Sequence, residues 1–380
     1  MKRPSVVWLV PVAALLLLLI PAAASAQLAT VPAPVGSPGA GGDVFTMTNA
    51  VSGNQVLAFH IGPYGALIPE GTFSTHGTGT GASLADQGAL ALSSDHRYLL
   101  VVNAGDNTIT VFQVHPTGSG PVLTFVDRAS SRGHVPVSLT IHGSFVYVLN
   151  AGDATHSGNI AGFRLADGGL LLALPGARQP LSTSAATGPA EVAFDPAGTV
   201  LVVTEKSTNL IDAYPVNSRG IAQPPVTTAS NGSTPYGFAF SPRGTLVVSD
   251  AGSGALTSYS VAATGQLTVI SGSIGDGQLA PCWVAISGGQ WAFTSNAHSG
   301  TISTYAVAKT GALTVSSAVA ATTGAADTDL AIGGSHGQYL FVYDAGAPQI
   351  QEFGIGPGGT LTPLYAVYSL PPATEGLAAF

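Results

Sequence analysis

RYLLVVNAGDNTITVFQV, residues Arg97–Val114, is the sequence unit that this chain repeats. Its apolar run Tyr98–Val102 stops at the polar Asn103, and after a short turn Thr108–Val114 alternates between apolar and polar residues. β-Branched and aromatic residues in such runs favour strands. The unit therefore predicts two antiparallel strands that are joined by a tight turn.

The same pattern recurs along the chain. Clear copies are SFVYVLNAG (Ser144–Gly152), LVVTEKSTNLIDAY (Leu201–Tyr214), LVVSDAGSGALTSY (Leu246–Tyr259) and WAFTSNAHSGTISTY (Trp291–Tyr305). Weaker copies lie at Val44–Phe59 and Leu340–Phe353. Seven copies in one chain identify a repeat protein.

A second signature precedes each of these hairpins. QGALAL, PVSLTI, PAEVAF, PYGFAF, PCWVAI and DTDLAI begin at residues 87, 136, 189, 235, 281 and 327, so that successive starts are 49, 53, 46, 46 and 46 residues apart. Repeats of this length with four short strands each are typical of a β-propeller, which has to close into a ring.

The two ends of the repeat region complement each other. Glu375–Phe380, EGLAAF, reads as a first strand with no second strand after it, and the region from Asp43 begins on a second strand. Joining them would remove an open sheet edge. We therefore predict an all-β, seven-bladed β-propeller over residues 43–380, closed by the C-terminal strand joining the N-terminal blade.

The first residues predict export rather than a part of the fold. Residues 1–26 have a basic start, an apolar centre and the small-residue end Ala24-Ser25-Ala26, which is typical of a secretory signal peptide. The alternative, a membrane anchor, is disfavoured because Pro11 and Pro21 bracket a short apolar core. Residues 27–42 are then a disordered leader, and the product is secreted or periplasmic with no membrane span.

Composition excludes several classes of protein. Cys282 is the only cysteine, so no internal disulfide can form. The chain has 11 basic and 19 acidic residues, and loss of Lys2 and Arg3 with the signal would leave 9 against 19, a formal charge of −10. Such a balance disfavours nucleic acid and anionic membranes as partners. We expect a monomer.

The V-x-N-A-G hairpins and the trailing G-x-L turns, such as Gly265-Gln266-Leu267, resemble those of a known family. They are similar to the seven-bladed lactonase-like propellers, of the 6-phosphogluconolactonase and carboxymuconate cyclase type, and also to YVTN-type repeat proteins. The resemblance covers essentially all of residues 43–380. It implies a propeller fold and, for activity, hydrolysis of a lactone.

One polar column closes the second strand of every blade. In a propeller this end lies on the face that also carries the connections between blades, which we call the top face. The column consists of Asn49, Asn103, Asn150, Glu205, Asp250, Asn296 and Asp344. Asn and Asp also suit turns without any ligand, which is the structural alternative. Glu205 and its neighbour Lys206 depart most from the repeat pattern, so they are the better functional candidates.

A second column is the third residue of each first strand. Glu191 and Asp329 place carboxylates there, near the propeller axis. Carboxylates that are close together in a confined site have raised pKa values, which suits a general base. The alternative is that both are solvated channel residues. Tyr236 and Trp283 provide either an aromatic wall for a ligand or packing between blades.

Histidines on the top face are loop residues. They are His76, His134, His156 and His298. His134 is the strongest candidate because it lies two residues before Pro136, with Arg132 close by. The sequence contains no clustered cysteines, no His-x-x-x-His, no calcium loop and no phosphate loop, and so predicts neither a metal nor a cofactor.

Two main functions remain open at this point. The first is lactone hydrolysis at the top-face mouth of the channel, with Glu205 or Glu191 orienting water and His134 or Arg132 polarising the carbonyl. The predicted ligand-binding residues are Asn103, Asn150, Lys206, Tyr236, Asp250, Trp283, Asn296, Asp329 and Asp344. The second is a non-catalytic ligand- or protein-binding propeller at the cell envelope. A third hypothesis, a structural surface module, is disfavoured because it would predict tandem copies or an anchor, and the sequence shows neither.

The charge of the top face indicates the class of ligand. Eleven acidic residues are assigned to it, namely Asp86, Asp106, Asp153, Glu191, Glu205, Asp250, Asp276, Asp327, Asp329, Asp344 and Glu375. Only Arg132, Arg178 and Lys206 oppose them. A field of this sign repels phosphates, so we expect a small neutral or cationic ligand.

Overall fold

The strands form seven four-stranded antiparallel sheets, which confirms the all-β, seven-bladed propeller. The computed structural model describes residues 41–117, 120–182, 186–324 and 326–380. The predicted signal peptide, and its leader up to residue 40, lie outside these residues. Among the described residues no helix is long and apolar enough to cross a membrane.

Each blade runs from an innermost strand at the axis to an outermost strand at the rim. In that order, blade 1 has Glu375–Ala379, Asp43–Met47, Gln55–Ile61 and Leu67–Ser74; blade 2 has Leu90–Leu92, Tyr98–Asn103, Thr108–Thr117 and Gly120–Ser130; blade 3 has Pro136–His142, Phe145–Asn150, Asn159–Leu165 and Leu171–Pro180. Blade 4 has Pro189–Phe194, Val200–Glu205, Leu210–Pro215 and Val226–Ala229.

Blade 5 has Pro235–Phe240, Thr245–Asp250, Ala255–Val261 and Leu267–Gly275; blade 6 has Pro281–Ser287, Trp291–Asn296, Thr301–Val307 and Leu313–Thr322; blade 7 has Asp327–Gly333, Tyr339–Asp344, Gln349–Ile355 and Leu361–Tyr368. Short 3₁₀ turns at Pro63–Gly65 and Pro357–Gly359 precede the outer strands of blades 1 and 7. The innermost strands of adjoining blades contact one another around a complete ring.

The second strands are the most completely buried elements. All six residues of Tyr98–Asn103, Val200–Glu205 and Thr245–Asp250 are buried, because neighbouring blades cover both faces of each sheet. This explains why these strands are continuous apolar runs, whereas the exposed outer strands mix polar and apolar residues.

Tyrosines at the end of the repeated unit link one blade to the next. The hydroxyl of Tyr214 donates to Pro180 O at 3.0 Å, and that of Tyr305 donates to Ile274 O at 3.1 Å. Both rings are buried, and each hydroxyl reaches the end of the preceding blade's outer strand. Each of these tyrosines therefore contributes both a buried ring and a hydrogen-bonding hydroxyl to the contact between two blades.

The ring closes between the two ends of the described chain. Strand Glu375–Ala379 pairs antiparallel with Asp43–Met47, with Val44 opposite Ala379 and Phe45 opposite Ala378. Phe380 N donates to Asp43 O at 3.2 Å. The predicted composite blade is confirmed, and its innermost strand comes from the end of the sequence.

Deletion of residues 375–380 should open this ring. It exposes the edge of Asp43–Met47 and removes a largely buried strand. The free energy of unfolding should therefore fall by more than about 4 kcal/mol, which is more than most single substitutions cost. Thermal unfolding and light scattering would measure the loss of stability and the expected aggregation. A cooperative melt at an unchanged temperature would show that closure does not depend on this strand.

Candidate functional site

The polar column at the ends of the second strands is buried and hydrogen-bonded to inter-blade connections. Asn49 Nδ2 donates to Ala82 O at 2.7 Å, and Asn150 Nδ2 donates to Ser131 O at 3.2 Å. Asn103, Asp250, Asn296 and Asp344 likewise bond to Asn, Ser, Thr, Gln or backbone groups at strand ends. These contacts are the ones that the structural alternative requires.

Glu205 belongs to the junction between blades 3 and 4. Its carboxylate is fully buried and accepts Ser182 N at 2.9 Å and Thr208 Oγ1 at 2.6 Å. Asp212 lies beside it, and burial, with the nearby Glu205, raises the pKa of Asp212 to about 7. The contacts of Glu205 are therefore with the connection between two blades.

A different group of side chains lines the top-face end of the central channel. Glu191, Asp329 and Glu375 come from innermost strands, and Lys206 comes from the turn after Val200–Glu205. Asp86 comes from the connection between blades 1 and 2 and interacts electrostatically with all four. We call these five residues the channel cluster. Of them, the sequence predicted Glu191, Asp329 and Lys206.

The connection that carries Asp86 fills the channel mouth. Residues Ser83–Gly88, which we call the plug segment, reach the channel walls of several blades. Leu84 N donates to Glu375 Oε1 at 3.0 Å in blade 1. The carbonyl of the next residue, Ala85, accepts a hydrogen bond from Lys206 Nζ in blade 4.

The other half of the plug segment binds the opposite wall. Trp283 Nε1 donates to Asp86 O at 2.6 Å. Gln87 Nε2 donates to Val284 O at 2.8 Å, and Gln87 Oε1 accepts Val284 N at 3.0 Å. Gly237 permits this arrangement because a Cβ there would collide with Gln87 Oε1. The mouth is thus closed by a segment of the chain itself.

Below the plug segment a cavity of about 350 Å³ continues the channel. Its lining includes Gln87, Ser93, Ser94 and His96 together with the apolar inner strands. Ser93, Ser94 and His96 belong to the first-to-second strand turn of blade 2, so the cavity lies toward the face opposite the mouth. Among the described residues of this lining, His96 is the only titratable one, and it stacks on Phe380 with ring centroids 4.3 Å apart.

The acids of the innermost strands also complete the backbone. Glu191 Oε2 accepts Phe238 N of the next blade at 2.6 Å, and Asp329 Oδ2 accepts Leu377 N at 2.8 Å. Burial raises the pKa of both carboxyl groups well above the usual range. Each therefore contributes a hydrogen-bond acceptor to the channel wall, while its burial disfavours the charged form.

The other three members of the channel cluster are Asp86, Glu375 and Lys206. Both carboxyl oxygens of Asp86 are buried, and neither has a hydrogen-bond partner among the described residues. Burial raises the pKa of Asp86, and the nearby Glu375 and Asp329 raise it further. Burial also raises the pKa of Glu375 to about 7 and lowers that of Lys206 to about 8. Two groups that titrate near neutral pH thus hold adjacent residues of the plug segment.

One aromatic ring covers Lys206, and a second packs against that ring. Its Nζ lies 4.6 Å from the ring centroid of Tyr236, and the Tyr236 and Trp283 rings meet edge to face at 5.1 Å. Lys206 Nζ also donates to Pro189 O at 3.1 Å. Tyr236, Trp283 and Lys206 were predicted as ligand-binding residues, and the structure brings them together with Glu191 and Asp329.

His134 and Arg132 lie in a different place. His134 stacks on His156 and contacts Asp153, and Arg132 lines the same cleft on blade 3. The four predicted catalytic residues therefore lie in three places: Glu191 in the channel cluster, Glu205 at a blade junction, and His134 and Arg132 on blade 3. The sequence analysis missed Asp86, Gln87 and Glu375. The available signal was that Gln87, Asp327 and Glu375 begin their repeat signatures where the other repeats have proline.

The acids that the sequence analysis assigned to the top face differ in burial. Eight of the eleven acids are buried, namely Asp86, Glu191, Glu205, Asp250, Asp327, Asp329, Asp344 and Glu375. Burial raises the pKa of Asp250 to about 6 and that of Asp327 to about 8, as it does for the acids of the channel cluster. The predicted negative charge of the top face therefore lies mainly in buried carboxyl groups, and burial disfavours the charged form of such groups.

Seven blades around a channel with buried acid groups at one end define a seven-bladed β-propeller. The family model for "Lactonase, 7-bladed beta-propeller" matches residues 52–171, 157–268 and 248–374. The chain belongs to this family. No sequence of a curated protein matches it significantly.

Solved structures share the fold at low sequence identity. One is a candidate 6-phosphogluconolactonase from Bacteroides fragilis, with TM-score 0.68, 18% identity, and 91% of this chain and 100% of that chain covered. Another is the periplasmic gluconolactonase of Pseudomonas aeruginosa, with TM-score 0.66, 17% identity, and coverage of 90% and 98%. A protein from Lactobacillus plantarum gives TM-score 0.70 at 16% identity, with coverage of 90% and 100%.

Replacing Glu375 by Gln should change how stability depends on pH. The folded chain holds the Glu375 proton more tightly than the unfolded chain, so its contribution is present below pH 4.5 and is lost as the pH rises through about 7. Relative to wild type, Glu375→Gln should gain about 3 kcal/mol of unfolding free energy between pH 4 and pH 8. Denaturant unfolding at both values would measure this gain. A difference between the proteins that does not vary with pH would contradict the assigned shift.

Proposed function

We propose that this protein hydrolyses an uncharged lactone at the top-face end of its channel. One observation carries the proposal. Glu375 and Lys206 hold adjacent residues of the plug segment, with the carboxylate on Leu84 N–H and the ammonium on Ala85 C=O. This is the pair of groups that ester-type hydrolysis requires, a base near neutral pKa and a donor aimed at a carbonyl oxygen.

The Ala85 carbonyl indicates where a substrate carbonyl would bind. When the plug segment withdraws, Lys206 loses this acceptor and its N–H can bond to the lactone carbonyl oxygen instead. Tyr236 and Trp283 then form an apolar wall against the sugar or alkyl ring. The ammonium of Lys206 is already desolvated in the folded protein. It can therefore stabilise the transition state without a further desolvation cost.

The reaction then needs one water molecule and one base. Glu375 takes a proton from water while the water oxygen attacks the lactone carbonyl carbon. Lys206 stabilises the negative oxygen that forms. The ring C–O bond breaks next, and the leaving alkoxide takes the proton back from Glu375, which gives the open hydroxy acid. Glu191 is the second candidate for the base, as the sequence analysis expected.

Opening of the mouth is part of the proposal. The plug segment is tied by hydrogen bonds to the walls rather than by a covalent link, and loop withdrawal that admits substrate is a common gating step. Glu205, His134 and Arg132 make their contacts outside the channel cluster, so the proposal assigns them no chemical step.

The substrate charge follows from the donors present. The channel cluster offers one ammonium and no guanidinium, whereas phosphate recognition generally uses several charged donors. The carboxyl groups of the cluster add no positive charge that could hold an anion. The proposed substrate is therefore a neutral lactone, such as an unphosphorylated sugar lactone.

Export is also a proposal. It rests on the predicted signal peptide at residues 1–26, and it agrees with the periplasmic location of the Pseudomonas aeruginosa gluconolactonase. The place of action would then be the periplasm or the medium.

Glu375→Gln should lower kcat/KM for a neutral lactone at least about 100-fold, the usual scale for removal of a general base. Glu191→Gln should lower it less than about tenfold, because Gln still accepts Phe238 N. The matched control is Glu352→Gln, a buried carboxyl of raised pKa (about 8) on blade 7 that accepts Leu67 N. Purified variants would be assayed by proton release. Full activity of Glu375→Gln would remove this residue from the mechanism, and loss in Glu191→Gln alone would assign the base to Glu191.

The charge of the substrate can be tested on the wild-type protein. Gluconolactone and 6-phosphogluconolactone differ by one phosphate, and a site without a guanidinium fork should prefer the uncharged compound by at least about tenfold in kcat/KM. Parallel progress curves at equal ionic strength would measure the ratio. Efficient hydrolysis of the phosphorylated lactone would show that the channel holds an anion site.

Binding without catalysis is the second candidate function. It is favoured by the closed mouth, since the plug segment occupies the place of the ligand in this structure. In that case a broad panel of lactones would show no turnover above background, while binding of a partner protein or ligand would be unaffected by Glu375→Gln.

A further inference from the structure

A second group of reactive side chains lies on the top face of blade 3, and it shares no contact with the channel cluster among the described residues. His134 comes from the connection that precedes Pro136–His142. Asp153 and His156 come from the turn between Phe145–Asn150 and Asn159–Leu165. One ligand atom from each of the three lies within 4.8 Å of the others. We call this group the blade 3 triad.

Both imidazoles face the same carboxylate. His134 Nδ1 lies 3.3 Å from Asp153 Oδ2, and His156 Nδ1 lies 3.0 Å from the same oxygen. The two rings are parallel within 6° and their centroids are 3.5 Å apart. An imidazole binds a metal through the lone pair that lies in its ring plane, so one of these stacked rings has to turn about its side-chain bonds for both to bind the same ion.

The spacing fits a small divalent ion. Bonds of about 2.0–2.1 Å at tetrahedral angles separate two ligand atoms by about 3.3 Å. The observed nitrogen-to-oxygen distances of 3.3 and 3.0 Å lie close to that value. Two imidazoles and one carboxylate are a ligand set that suits zinc better than calcium or magnesium, which prefer oxygen.

The backbone holds the triad in place. Gly152 N donates to His134 O at 2.9 Å, which joins the two loops that carry the ligands. Asp153 Oδ1 accepts Thr155 N at 2.8 Å and His156 N at 2.9 Å, which fixes the carboxylate. Gly152 has a φ of +80°, and a Cβ there would collide with His156 O. The two loops are therefore cross-linked and the carboxylate is fixed, so that ion binding requires a change only in imidazole orientation.

The triad is open to solvent. The side chains of His134 and Asp153 are 37% exposed and that of His156 is 50% exposed, so an ion can enter. The adjoining cleft, of about 540 Å³, is also lined by Arg132 and Arg178. Three protein ligands leave a coordination position for water or a small anion in that cleft.

We propose that His134, Asp153 and His156 form a zinc-binding site on the top face of blade 3. The site is independent of the channel cluster, so the proposal does not rest on lactone hydrolysis. The sequence did not reveal it because the ligands come from two loops that only the propeller brings together, and no short spacing links all three.

Calorimetric titration of the chelator-treated protein with Zn²⁺ tests the site. We expect one ion per chain with a Kd below about 10 μM. His134→Ala, His156→Ala and Asp153→Asn should each weaken zinc binding at least about tenfold. Loss of a residue that only hydrogen-bonds to a metal ligand already costs this much, so loss of a ligand should cost no less. The matched control is His298→Ala, an exposed histidine in the corresponding turn of blade 6, which should bind zinc as wild type does.

Two further readouts separate a site from a general surface effect. Unchanged melting temperatures without zinc would show that the variants fold, and Co²⁺ should give the visible absorption of a tetrahedral centre only when all three ligands are present. Zinc should also raise the melting temperature of wild type and of His298→Ala, but not that of the three ligand variants. The proposal would be overturned by a wild-type Kd above about 1 mM. It would also be overturned if all three ligand variants bound zinc with the affinity of wild type.

Discussion

Closure of the ring is the constraint on which the rest of this structure depends. Seven sheets can bury both faces only if the last blade meets the first, and in this chain that contact is the pairing of Glu375–Ala379 with Asp43–Met47. The same pairing places Glu375 at the top-face end of the channel, beside the plug segment. One strand thus completes the fold and supplies a central group of the candidate site.

Desolvation determines the chemistry at that end of the channel. A ring of innermost strands leaves backbone amides facing the axis, and polar side chains accept from them: Ser138 from Val192 N at 3.1 Å and Glu191 from Phe238 N. Gly237 has no side chain for this role, and Gln87 of the plug segment serves Val284 N instead. The plug segment therefore completes the wall and buries the acids, and burial raises their pKa values.

The sequence predicted the fold well and the site only in part. Repeat spacing and the complementary ends were sufficient for seven blades and the composite blade, because each blade uses the same local pattern. Glu191, Asp329 and Lys206 were recognised as departures from that pattern, and Tyr236 and Trp283 were proposed as an aromatic wall. Asp86 and Gln87 were not, because they lie in a connection whose path across the channel is set by long-range contacts. Glu205 departs from its column too, yet its contacts are with a blade junction.

The most direct test of this account is a crystal structure of the protein with a lactam analogue of gluconolactone, which binds but is not hydrolysed. The account predicts the analogue at the top-face end of the channel, with its carbonyl oxygen in hydrogen-bond reach of Lys206 Nζ and the plug segment displaced. An analogue bound in the cavity on the opposite face, with Ala85 O still held by Lys206, would contradict it.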